Sequence, residues 1–417
     1  MPRIDAERLL SDLHQLRAIG AQDRGVVRPA FSAADMKARR WLKRRYEETD
    51  LEATIDGVGN VLGRSRHSGK ALLIGSHSDT QPTGGWLDGA LGVIYALEVV
   101  RALGANEATR ALPVDAVSFQ DEESRFVGCL GSRSLTGTLT PEMEQGAVDS
   151  RGVTLADALL EAGLAGVPRL RLARDRYAGF IEAHIEQGPH LEDAGRQIGV
   201  VTGIVGLRSI RFVFRGQQNH AGTTMMARRR DASTALYELA HRINLEFPKV
   251  AAERSVWTMG RLRVEPNATS IVPGYAELDL QFRDPSDAPL DAFEAIVASL
   301  VSEMNARGGV TVEAVPSRAP IAPTRMDADL QAHIETAAER HAPGNWQRMP
   351  SGAFHDAGII SASIPSAMLF IPSVGGISHD FAEDSRDADI VLGCQVLADA
   401  AASILAAANA GNSVVRS

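Results

Sequence analysis

Ala71-Leu-Leu-Ile-Gly-Ser-His-Ser-Asp-Thr-Gln-Pro-Thr-Gly-Gly-Trp-Leu-Asp-Gly89 is the stretch on which the reading of this chain turns. Ala71–Gly75 is a short apolar run, the pattern of a buried strand. A polar, glycine-rich loop follows, carrying His77, Asp79 and Asp88. Ala90–Leu103 then has the composition of a helix. In open α/β sheets, ligands bind beyond the carboxyl ends of strands. His77 can offer a neutral nitrogen to a metal. Asp79 can hold the other imidazole nitrogen, and Asp88 can span two ions through its two oxygens. Taken alone, the stretch reads equally well as a surface turn.

Working outward, Pro113–Phe119 is a second strand, followed by Asp121-Glu-Glu-Ser-Arg125. Adjacent carboxylates repel unless a cation or solvent screens them. An acidic turn is the commoner explanation. Beside the first cluster, one of Glu122 and Glu123 can be a ligand and the other a free proton shuttle. Glu182-Ala-His-Ile-Glu-Gln-Gly188 and Gly376-Ile-Ser-His-Asp380 add His184 and His379 in polar settings. Of the 11 histidines, five lie in such clusters: His77, His184, His220, His355 and His379. One such histidine is more often structural than ligating. Four clusters, two directly after predicted strands, are harder to explain that way.

Alternating strands and helices point to an α/β fold. Ala33–Glu48 reads as a helix, and Asp387–Asp389 leads into an Ala-rich helix running to about Ala410. Acidic residues at its start suit the helix dipole. The tail beyond is expected to fray. In the middle of the chain, Arg208–Arg215 and Tyr275–Arg283 alternate like half-exposed strands. Helical stretches near Asp231–Asn244 and Leu290–Asn305, with a strand at Val310–Val315, complete a small α/β sandwich. We place this inserted domain at residues 208–321, between the two parts of a larger domain, 1–207 and 322–417.

The bulk numbers narrow the function. With 417 residues, two domains are the natural expectation. A net charge of -9 gives no general attraction to nucleic acid or an anionic membrane. Only 2 cysteines, Cys129 and Cys394, leave any metal to His and carboxylate ligands. The N-terminus lacks a signal-peptide core, and the apolar stretches read as too short to span a bilayer. The expected location is the cytoplasm, with no membrane partner.

Together these motifs resemble the M20-type metallopeptidase clan, and within it the hydantoinase/carbamoylase amidase branch. That branch includes N-carbamoyl-L-amino acid hydrolases, β-ureidopropionases and allantoate amidohydrolases. The likeness runs from about Gly75 to Glu383 and takes in Asn219-His-Ala-Gly-Thr-Thr224, Arg229-Arg-Asp-Ala232, Ile271-Val-Pro-Gly274 and Ser351-Gly-Ala-Phe-His-Asp-Ala357. The resemblance implies a large catalytic domain with a mixed sheet flanked by helices, and a smaller lid and dimerisation domain. It implies one divalent ion on His77, Asp88 and His184 and a second on Asp88, Glu123 and His379. Zn²⁺ suits these donors best, with Mn²⁺, Co²⁺ or Ni²⁺ as substitutes. Glu122 falls on the general base, Asp79 on the residue orienting His77, and His220 on a stabiliser of the tetrahedral oxyanion. Arg283 falls on a carboxylate-binding arginine, and Asn267 and Gln187 on substrate contacts. Ser351 and His355 are expected near the substrate. Met225 stands where proline is usual, and Phe354 where a small residue is usual.

The implied reaction is hydrolysis of an N-carbamoyl amino acid to amino acid, ammonia and CO₂, by a homodimer that closes over a small carboxylate substrate. Allantoate, another ureido acid or an N-acyl amino acid are rival substrates. A non-catalytic metal-binding protein is the rival of another class. The free Glu122 beside five ligand positions argues against it.

Overall fold

The run opening at Ala71 forms a strand that continues to His77, every residue of it buried. The computed structural model describes residues 1–410, so the expected fraying of the tail lies outside the described residues. In chain order the principal strands are β1 (Leu51–Ile55), β2 (Val61–Ser65), β3 (Ala71–His77), β4 (Val114–Phe119), β5 (Tyr177–Ile185), β6 (Ile198–Ile204), β7 (Gly206–Arg215), β8 (Val256–Glu265), β9 (Tyr275–Asp284), β10 (Thr311–Pro316), β11 (Trp346–Ser351) and β12 (Ser366–Ile371). The main helices are α1 (Ala6–Ala18), α2 (Ala33–Glu47), α3 (Ala90–Ala105), α4 (Ala232–Glu246), α5 (Asp287–Arg307), α6 (Ala328–His341) and α7 (Asp387–Asn409).

The chain divides into two units. The first comprises Met1–Thr202, Met326–Met349 and Ala353 onward. Its mixed sheet runs β6-β12-β5-β3-β4-β2-β1, with β11 beside β6. The four middle strands are parallel to one another. β6 and β2 flank them antiparallel. Parallel strands are buried on both faces, and every residue of β3, β4 and β12 is buried, Asp115 and Ser118 of β4 included. Leu91, Ile94, Tyr95 and Leu97 of α3 pack in the same core as Ile74, Ile181 and Leu369 of the sheet.

Contrary to the sequence reading, one helix among the described residues is long and apolar enough to cross a bilayer by length and composition. This is α7, with 23 residues. Ile390, Cys394, Leu397, Ala401 and Leu405 of α7 are buried in the core of the first unit. Its apolar character is explained by packing against α3, α6 and β12.

The second unit holds Gly203–Arg325 together with Pro350–Gly352. Its antiparallel sheet runs β8-β9-β7-β10, and α4 and α5 pack against it. The core is aromatic: Phe212, Phe214, Phe247, Phe282 and Phe293 are fully buried, and the Phe247 and Phe293 rings stack at 4.2 Å. The Asp231 side chain accepts from the amides of Ser233 and Thr234, capping α4.

Candidate metal centre

The four parallel strands of the first unit each deliver polar residues at or beyond their carboxyl ends. His77 ends β3 and His184 is next to last in β5. Glu122 and Glu123 follow β4, and His379 lies in the loop after β12. Asp88 immediately precedes Gly89, the N-cap of α3, where the helix dipole favours a negative charge. Gly89 has φ +64°, and a Cβ there would stand 2.5 Å from the His77 ring. Only glycine lets the Asp88 turn come this close to the imidazole.

The side chains converge on Asp88. Its Oδ1 lies 3.4 Å from His77 Nε2 and 3.1 Å from His184 Nε2. Its Oδ2 lies 3.2 Å from His379 Nε2. Glu123 Oε1 is 3.8 Å from His379 Nε2. His77, Asp88 and His184 form one compact donor set and Asp88, Glu123 and His379 another, while His77, Glu122 and Glu123 form a third that overlaps both.

The donors fit divalent metal ions. His77 Nδ1 is 3.0 Å from the carbonyl of Asp79, and His184 Nδ1 is 2.9 Å from that of Ile185. A carbonyl only accepts, so both Nδ1 atoms carry hydrogen. In the neutral rings, each Nε2 is then a lone pair facing the acceptor oxygen Oδ1 of Asp88, and that of His184 also accepts from the Gly89 amide, at 3.1 Å. Acceptors turned on one another need a proton or a cation between them. Donors 3.1–3.4 Å apart can share an ion whose bonds are about 2.0–2.1 Å. Among the described residues, Glu123 Oε1 is buried without a hydrogen-bond partner, an expensive state unless an ion satisfies it.

Without a cation the site must hold protons instead. Burial opposes charge on His77, but its bond to Asp88 and the charges of Glu122 and Asp79 outweigh this and raise its proton affinity well above the ordinary value. The bond to Asp88 raises His379 to about 9. Burial, reinforced by the charge of Asp88, pushes Glu123 up to about 7. Burial and the charges of Glu123, Asp356 and Asp88 hold Glu122 well above the ordinary carboxylate range, although His77 opposes them.

Glu122 stands beside both sets. Its Oε2 is 3.8 Å from His77 Nε2, and its Oε1 lies 3.8 Å from the buried Cys129 thiol. Asp79 is fully buried, yet its carbonyl rather than its carboxylate makes the short contact to His77. Its Oδ1 is 3.8 Å from His77 Nδ1. The carboxylate is drawn away by Arg39, at 3.7 Å, and by the amide of Glu123, at 3.3 Å. Gln187, expected to touch substrate, donates its amide to Asp88 Oδ2 at 3.1 Å and to Ser378 Oγ at 3.2 Å. His355 is buried, its ring edge-on to His184 at 4.7 Å. Burial and the neighbouring His184 hold it well below the ordinary histidine value, so it is neutral.

His220, Asn267, Arg283 and Ser351 belong to the second unit. His220 lies on a short ribbon paired with Ile271, and its Nδ1 accepts from the amides of Gly222 and Thr223. This leaves the hydrogen of a neutral ring on the exposed Nε2. Asn267 is exposed, with φ +57°. Ser351 is buried, and its carbonyl accepts from Val205. Arg283, on β9, donates Nε and Nη2 to Gln281 Oε1 and Nη1 to the carbonyl of Gly352. A guanidinium has five N–H groups, so two remain among the described residues.

Sequence reasoning passed over the supports beneath these groups. Arg39 is wholly buried, 2.9 Å from Asp35, and donates to the carbonyls of Gly59 and Phe119. Arg28 donates to the carbonyl of Ser78. Glu383 binds the loop of Asp88. Arg39 had a visible signal: it shares a helical face with Met36, Leu42 and Tyr46.

Comparison with known proteins agrees with this geometry. Residues 73–403 match the peptidase family M20/M25/M40. The N-carbamoyl-L-amino acid amidohydrolase of Geobacillus stearothermophilus is 34% identical over 411 residues, covering 94% of this chain and 97% of that protein. The allantoate amidohydrolase of Bacillus subtilis is 33% identical, over 90% of this chain and 92% of that one. The crystal structure of a hydantoinase/carbamoylase-family amidase from Burkholderia phymatum is 50% identical, with a TM-score of 0.91 over 98% of this chain and 99% of that chain. With strand ends, donor set and relatives in accord, the chain belongs to the M20/M25/M40 peptidase family and, within it, to the hydantoinase/carbamoylase amidases, hydrolases of carbon–nitrogen bonds in linear amides.

Proposed function

We propose that the protein removes the carbamoyl group of an N-carbamoyl amino acid, using two divalent ions, Zn²⁺ being the best match to the donors. The observation that carries this reading is the pairing of two donor sets on Asp88, with the Glu122 carboxylate outside that pair and 3.8 Å from His77. His77, Asp88 and His184 would hold one ion; Asp88, Glu123 and His379 would hold the other. Such ions supply Lewis acidity, bringing the pKa of water from about 15.7 towards about 7.

The protein's own groups do the rest. Glu122 takes a proton from the attacking water on the oxygen that faces His77. Burial raises its affinity for that proton, as suits a group that must carry it to the leaving nitrogen. The water oxygen bonds to the carbamoyl carbon, and the bond from that carbon to the amino acid nitrogen breaks. Glu122 delivers the proton to that nitrogen. The carbamate released breaks down to ammonia and CO₂. His220 Nε2–H is assigned to the oxyanion, and the two spare N–H groups of Arg283 to the substrate carboxylate. Asn267, Gln187, Ser351 and His355 are assigned to substrate contacts, and Asp79 to holding the His77 loop.

The enzyme is assigned to the cytoplasm and to a homodimer formed through the second unit. Supporting the dimer, β8 is an edge strand with Val256 and Leu262 more than half exposed beside Arg261 and Arg263, and an edge strand with open backbone groups can pair with another chain. Sedimentation of wild type and Leu262→Lys tests it. The substrate assignment is tested by screening metal-loaded enzyme for amine and ammonia release. N-carbamoyl amino acids, β-ureidopropionate, allantoate and N-acyl amino acids form the panel. Turnover confined to allantoate or to acyl amino acids overturns the carbamoyl assignment.

A further inference from the structure

The Glu383 side chain ties the loop that carries Asp88 to the loop that carries His379, beside Gln187, which donates to both Asp88 and Ser378. Glu383 is 2% exposed. Its Oε1 accepts from the backbone amides of Leu87, at 3.1 Å, and Asp88, at 3.0 Å. Its Oε2 accepts from the hydroxyl of Ser378, at 2.8 Å. It therefore grips the backbone of one metal-ligand candidate and the immediate neighbour of another.

The first donor set needs no such help. His77 and His184 stand on strands, and carbonyls fix both rings through Nδ1. His379 stands in a loop at φ +56°, its side chain 49% exposed. Among the described residues no carbonyl holds its Nδ1. Its distance from Asp88 depends on how the two loops are joined. The backbone is built around this joint, because a Cβ on Gly85 would stand 1.9 Å from the Glu383 carboxyl. Trp86 Nε1 adds a bond to Asp384, at 3.2 Å.

We infer that Glu383 is a positioning residue for the ion of the Asp88, Glu123 and His379 set, acting by locking the two loops at the spacing that ion requires. The inference rests on the two-ion reading proposed above. It distinguishes the two sites: loss of the lock weakens one ion and spares the other.

The test is a titration of metal-free wild type, Glu383→Ala, Glu383→Gln and Gly85→Ala with Zn²⁺ against a chromophoric chelator. Visible spectra of the Co²⁺ forms provide a second readout. Wild type should take up two ions. Glu383→Ala should keep one at wild-type affinity and bind the other about 10- to 100-fold more weakly, the usual cost of losing a group behind a ligand. Glu383→Gln should approach wild type, because the amide oxygen still accepts from both backbone amides. Gly85→Ala retains the carboxylate but displaces it, so it should copy Glu383→Ala. It decides the matter alone if Glu383→Ala does not fold. Equal tight binding of both ions in Glu383→Ala or, failing that variant, in Gly85→Ala overturns the inference and leaves the two-ion reading standing. Fewer than two ions on wild type overturns both.

Discussion

At the scale of single residues, the proposed function gives proton transfer to Glu122 and recognition to Arg283, so their variants should fail differently. Glu122→Gln keeps the shape and every proposed metal donor but cannot take a proton. Loss of a general base typically costs about 10²–10⁴-fold, so kcat should fall by that much while bound metal, measured by elemental analysis, stays at the wild-type level. Near-normal turnover would remove Glu122 from the role. Arg283→Ala leaves the proposed metal donors untouched and removes the two spare N–H groups assigned to the substrate carboxylate. Charge-assisted hydrogen bonds are worth about 1.5–3 kcal/mol, so kcat/KM for a carboxylate substrate should drop about 10- to 100-fold, mainly through KM. An equal loss on an amide lacking the carboxylate would show that Arg283 serves the fold instead. The convergence of His77, Asp88, Glu123, His184 and His379 was legible because polar residues stand abruptly at or beyond the ends of buried strands. Glu383 was not: its three partners lie on two distant loops, two of them backbone amides, and a sequence pattern does not display which amide a carboxylate will find.

At the scale of elements, strands with a clear period or apolar content were legible, and partner-dependent details were not. β3, β4, β7 and β9 appear close to where apolar runs or alternation put them. α1 was passed over although Leu9, Leu13 and Leu16, spaced a turn apart among charges, carry the helical period. The distance between His77 and the Asp79 carboxylate was also hidden, since it is set by α2. Arg39 on α2 sits against Asp35 and near Asp79, all three fully buried. Removing one partner from a buried ionic group typically costs about 3–5 kcal/mol, because the other charges are left uncompensated. Arg39→Leu should therefore lower the denaturant-unfolding free energy of the first unit by about that amount. It should also loosen the Glu123 amide from Asp79. A loss below about 1 kcal/mol would mean that Asp35 and Asp79 find other partners and that α2 does not brace the site.

At the scale of the whole molecule, the protonation of the site should link stability, pH and metal. In the metal-free protein His379 lies at about 9 against an ordinary 6.5, and Glu123 at about 7 against 4.5. Both values are raised, so between about pH 4.5 and 9 the folded chain holds more protons at these groups than the unfolded chain does. Stability then falls as pH rises. The Glu123 contribution is lost from about pH 4.5 through 7, and that of His379 from about 6.5 through 9. Binding a metal expels these same protons, so apparent affinity should rise by up to about tenfold per pH unit for each proton displaced. Since a ligand stabilises the state it binds, the gap between metal-loaded and metal-free melting temperatures should widen from pH 6 to pH 9. Calorimetry of both forms across that range measures it. A gap that stays level or narrows would show that the histidines and carboxylates around Asp88 do not exchange protons for metal, and the donor sets would then have to be read as an ordinary buried ion-pair network.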